Sequence, residues 1–113
     1  MKPAAALSFG LLLAVSALGT APQAFADDDA KINARIASWG RNCKNAVIAK
    51  YPKLPMSDIA VQLGATLKQS IDSGETTLKV IKKSGLSYNW TVKRDTGYCN
   101  TDGSGNVTEV VKF

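Results

Sequence analysis

The stretch "YNWTVK", residues 88–93, alternates large apolar and polar side chains at every step. A period of two marks a half-buried strand, with Tyr88, Trp90 and Val92 turned inward and Asn89, Thr91 and Lys93 turned to water. A lone strand leaves its backbone and its apolar face unpaired, so the flanking sequence must supply neighbouring strands and a cover.

Downstream, Asp95-Thr96-Gly97 reads as a turn, Tyr98 to Thr101 as a third strand and Val107 to Phe113 as a fourth. Upstream, Leu78 and Val80 precede "KSGLS" and read as the first strand of a hairpin. For Leu78 and Val80 to share a face with Trp90 and Val92, the loop must hold an odd number of residues, most simply Ser84-Gly85-Leu86. The solvent face of that hairpin then carries Lys79, Lys83, Thr91 and Lys93.

Further upstream the period becomes helical. Asp27 to Asp29 offer caps and negative charge at a helix start, and Ile32, Ile36, Trp39, Cys43, Ala46 and Val47 follow on one face. Lys50 falls in the last turn, and Pro52 and Pro55 stop the helix. Gly40 inside it predicts close packing or a kink. A second helix is predicted to open at Ser57 with Asp58 in its first turn, to turn Ile59, Leu63, Leu67 and Ile71 inward, and to end at Gly74. The predicted order is ααββββ. This is an α+β domain in which two N-terminal helices pack on one face of a three- to four-stranded antiparallel meander.

Residues 1–26 read as an export signal: Lys2 is basic, Ala4 to Leu18 are almost all apolar or small, and Ala24-Phe25-Ala26 is a small-x-small cleavage site. The apolar run is shorter than the roughly 20 residues that span a bilayer. With Cys43 the first cysteine, no lipid-bearing cysteine sits near the cleavage point. The expected product is one domain, residues 27–113, in the periplasm or outside the cell. An oxidising compartment predicts that Cys43 and Cys99 form a disulfide, worth about 4 kcal/mol for a loop of this length. Cys99 should then point to the helix. Val107, Val111 and Phe113 share its face if the last hairpin loop is odd, whereas a four-residue loop, Asp102 to Gly105, would place Cys99 with Thr108 and Val110.

The stretch "NTDGSGNVTEVV", residues 100–111, approaches the EF-hand calcium loop, with Asn100, Asp102 and Ser104 at its first, third and fifth places and Gly105 at its sixth. Its last place holds Val111 instead of a bidentate glutamate, and its flanks read as strands. The loop is therefore read as a hairpin with Asp102-Gly103 at its turn, and no metal or cofactor is expected. The chain has no histidine, which removes histidine-activated nucleophiles and most zinc sites. Asp58 and Asp72 fall at predicted helix ends, and Asp95 and Asp102 in turns, so these carboxylates have structural explanations and no enzyme is expected. Trp39 and Trp90 fall on inward positions, as core residues in preference to a ligand platform.

The net charge is +5, and loss of Lys2 with the leader lowers it by one. Lys79, Lys82, Lys83, Lys93 and Arg94 are predicted to give one hairpin a positive face, with no acid between Glu75 and Asp95. These five are the candidate partner-binding residues; the competing reading is that they keep an exposed sheet soluble. The two-helix-then-meander order resembles small bacterial envelope modules such as the outer-membrane assembly lipoprotein fold, and "DGSGNVTEV" resembles the terminal hairpin of PepSY-type domains. Neither resemblance carries functional residues. The function expected is non-catalytic binding, as in an exported inhibitor, immunity protein or envelope adaptor. The partner would be an acidic protein or an anionic envelope component; export makes nucleic acid a poor candidate. The alternative is a structural envelope protein without a specific ligand.

Overall fold

The structure, a computed structural model, describes residues 27–113. The predicted export signal and its cleavage point lie outside the described residues. Residues 27–48 are helical (α1). After a 3-10 turn at Met56–Asp58 come strand β1 (Ile59–Leu63), helices α2 (Ala65–Asp72) and α3 (Leu78–Ser84), and strands β2 (Ser87–Val92), β3 (Asp95–Thr101) and β4 (Val107–Lys112). The strands form one antiparallel sheet in the order β1-β2-β3-β4. The α+β class, the four-stranded antiparallel sheet and the disulfide are as the sequence predicts.

The central strand behaves as its period requires. In β2 the exposures alternate, with Tyr88, Trp90 and Val92 buried and Ser87, Asn89 and Thr91 exposed. Helix α1 covers the buried side through Ile32, Trp39, Cys43 and Val47, all in the core. Cys43 is bonded to Cys99 of β3, with Cα atoms 6.0 Å apart. Gly40 is a close-packing glycine, since a Cβ there would stand 3.2 Å from the Tyr88 ring.

Three local readings are corrected. Ile59 to Leu63 is a strand, not the first turn of a helix opened by Ser57, and only Ala65–Asp72 of the predicted second helix is helical. Ile59 and Leu63 satisfy a spacing of four and a period of two alike; Val61, on the same side of the strand, fits only the second. Leu78 and Val80 lie in a helix, not a strand, and of the predicted hairpin loop Ser84 ends α3 while Gly85-Leu86 joins it to β2. Thr77 caps α3 by accepting from the Val80 amide, Ile81 is its buried residue, Lys82 and Lys83 fill its last turn and Gly85 ends it. The β2–β3 turn falls at Lys93-Arg94, because Val92 pairs with Asp95, and not at Asp95-Thr96-Gly97. Gly97 lies inside β3 opposite Trp90, where a Cβ would come within 2.5 Å of the indole.

The last strand reconciles two alternatives. The β3–β4 connection, residues 102–106, is odd in length, yet the register shifts near Thr101, so Thr101 faces Val107 while Cys99 faces Val110. Thr108 is the extra residue of a bulge. Val107 and Val110 therefore both pack on the core. Val111 and Phe113, predicted to share the face of Cys99, fall on the other side with Tyr98, whose ring centroid is 5.9 Å from that of Phe113.

Candidate partner-binding site

The five basic residues singled out from the sequence do not form one hairpin face. Lys79, Lys82 and Lys83 are exposed on α3, whereas Lys93 and Arg94 make the β2–β3 turn. Strand β2 lies between the two groups and, at about 3.3 Å per residue, spans roughly 17 Å. Lys93 Nζ lies 3.7 Å from Asp58 Oδ2, so its charge is partly matched. The separation follows from the helical state of residues 78–84, which a period-two reading had placed beside β2.

A different surface collects cations around a concavity. A groove of about 430 Å³ runs between α1 and the whole of β1, walled on the helix side by Ala37, Gly40, Arg41 and Lys44 and floored by Tyr88. Residues 37, 41 and 44 recur at spacings of four and three, which puts them on one helix face beside the core stripe. The Tyr88 hydroxyl donates to the Ile36 carbonyl at 2.6 Å, which holds the ring against Gly40. Burial raises the pKa of this phenol above its ordinary value, so the floor stays neutral. No carboxylate lines this groove, and the described residues make no ion pair with Arg41 or Lys44.

A second cavity of about 430 Å³ continues the groove at its α2 end, sharing Ile36, Gln62 and Leu63 with it. Here Lys68 and Asp72 are paired at 2.9 Å, so this end is close to neutral. The cleft is thus positive beside Arg41 and Lys44 and neutral beside α2.

The calcium-like loop is a hairpin connection. Asp102 Oδ1 accepts from the amides of Ser104 and Asn106 at 2.9 and 3.0 Å, and these bonds hold its carboxyl below the ordinary range. Gly105 has φ +91° and lies under the Trp39 indole, where a Cβ would be 2.3 Å from Nε1. Asn42 Nδ2 donates to the Gly105 carbonyl at 2.9 Å. The loop thereby anchors α1, and Trp39 and Trp90 are both core residues. Among the described residues no group of three or more His, Cys, Asp or Glu side chains is placed to hold a metal ion, and no helix is long and apolar enough to cross a membrane.

Arg41 and Lys44 were not among the candidates read from the sequence. The signal available was their recurrence with Ala37 on one flank of α1, but its meaning depended on β1 lying alongside, and residues 59–63 were read as helix. Comparisons with family models, with curated proteins and with solved structures find no match to this chain.

Proposed function

We propose that this chain is an exported, non-catalytic binding domain for an acidic protein partner, of the inhibitor, immunity or adaptor kind. The observation that carries the reading is the groove between α1 and β1, with Arg41 and Lys44 on its wall and no carboxylate in its lining. Fixed cations beside a concave surface attract and orient a negatively charged partner. The leader-like residues 1–26 and the Cys43–Cys99 disulfide support export into an oxidising compartment. The scaffold suits binding, since the disulfide, Tyr88 and Gly105 hold α1 on the sheet and keep the groove's helix wall in place.

The test is capture from an envelope extract on immobilised residues 27–113, at low and at high salt. A specific protein should bind at low salt, elute as salt rises, and be lost from the Arg41→Glu, Lys44→Glu double variant. Capture indifferent both to salt and to the double reversal would refute the acidic-partner reading. No saturable partner at all would favour the structural envelope role.

A further inference from the structure

We infer that the partner enters the groove as an extended acidic segment that adds a strand to the free edge of β1. This rests on the acidic-partner reading above and specifies how such a partner is held. The amide of Gly64 donates to the carbonyl of Ser87, directly opposite, at 3.1 Å. Antiparallel ladders alternate hydrogen-bonded and non-hydrogen-bonded pairs, so Gln62 and Ala60 bond inward to β2 while Leu63, Val61 and Ile59 turn their backbone groups outward. The outward amide of Ile59 is taken by the Met56 carbonyl. Both groups of Val61 and of Leu63 have no hydrogen-bond partner among the described residues.

Exposed edges are normally blunted by charge, proline or a bulge. β4, the other edge, has the bulge at Thr108 and carries Glu109 and Lys112. β1 has none of these: its sequence is Ile-Ala-Val-Gln-Leu in unbroken register. The unprotected edge is the one that opens onto the groove. Strand addition uses main-chain bonds for affinity and alternate side chains for choice of partner. Alternate side chains of an added strand would face α1, and acidic ones there would reach Arg41 and Lys44. The same cations disfavour a second copy of this chain, which would bring Arg41 and Lys44 against their own counterparts.

The probe is a short, amidated peptide of alternating glutamate and valine, titrated into residues 27–113 and followed by amide hydrogen exchange and calorimetry. Exchange at Val61 and Leu63 should slow on binding, with little change at Ala60 and Gln62, whose amides already face β2. Methylating alternate peptide nitrogens should weaken binding about tenfold or more, because the donors are lost while the charge is kept. Val61→Pro should weaken it similarly with the fold retained, since the outward amide at this edge position makes no ladder bond. Equal affinity of methylated and unmethylated peptides, both lost in the Arg41→Glu, Lys44→Glu variant, would overturn strand addition and leave the acidic-partner reading standing. Failure of both peptides to bind at low salt would overturn strand addition and the acidic-partner reading together. Protection of Val61 and Leu63 by phosphatidylglycerol vesicles as strong as by the peptide would overturn the extended segment in favour of an anionic surface.

Discussion

The hydroxyl of Tyr88 donates to the carbonyl of Ile36 at 2.6 Å, tying the second strand of the sheet to the long helix across 52 positions of sequence. The same ring lies 3.2 Å from where a Cβ of Gly40 would stand, so one side chain sets how closely α1 approaches the sheet. Tyr88→Phe should cost about 1 kcal/mol of unfolding free energy, the usual net worth of a hydrogen bond. Gly40→Ala gains helix propensity of about 1 kcal/mol but presses on a ring that its hydroxyl holds in place. It should therefore stabilise the Tyr88→Phe protein more than the parent, a difference that denaturant melts of the four proteins in this cycle would measure.

Gly105 joins a left-handed backbone to a close contact, with φ +91° and the Trp39 indole above it. Gly105→Ala meets both obstacles, and the strain of the left-handed region alone is about 1–2 kcal/mol. The variant should melt well below the parent, with an altered near-ultraviolet tryptophan signal. An unchanged melting temperature would mean that the loop does not anchor α1.

Lys93 adopts φ 54° at the β2–β3 turn, where a side chain is unfavourable. Its contact with Asp58 is exposed and 3.7 Å long, so little is lost with it. Lys93→Gly should be neutral or stabilising by up to about 1 kcal/mol in chemical denaturation, whereas Lys93→Val should be clearly destabilising.

The depressed pKa of Asp102 fixes the sign of one pH effect. A carboxylate whose folded value lies below its unfolded value, about 3.9, stabilises fully above that value and loses the contribution as pH falls through the folded one. Asp102→Asn should lower the melting temperature at neutral pH and flatten its decline below about pH 4. Because the Asp102 carboxylate already serves its own loop, millimolar calcium should leave the melting temperature of either protein unchanged.

Removing the disulfide by a Cys43→Ala, Cys99→Ala double substitution should cost about 2–5 kcal/mol, a large share of the net stability of a small domain. Urea titration would read this as a fall in midpoint.

The parts of the fold legible in the sequence were those with one dominant signal. The alternation of residues 88–93, the stripe of α1 and the pairing of the only two cysteines each admitted one strong reading. The parts misread had two periods in competition. Ile59 and Leu63 fit a helix as well as a strand, and Leu78 with Val80 mimicked a strand although Thr77 and Gly85 supply a helix start and stop. Gly97 looked like a turn marker because its real neighbour, Trp90, comes from another strand. The two-residue turn at Lys93-Arg94 carries no glycine or asparagine to announce it. The groove is illegible for a simpler reason: it exists only between α1 and β1, and the spacing of Ile59 and Leu63 alone reads as helix.

On the proposed reading an acidic partner is held between α1 and β1, not on the lysines of α3. The most direct measurement is an amide chemical-shift map of residues 27–113 titrated with the glutamate–valine peptide. Saturable shifts should group on Arg41, Lys44, Val61 and Leu63, with Lys79, Lys82 and Lys83 unmoved. Shifts grouped on α3, or on the opposite sheet face around Tyr98 and Phe113, would contradict it.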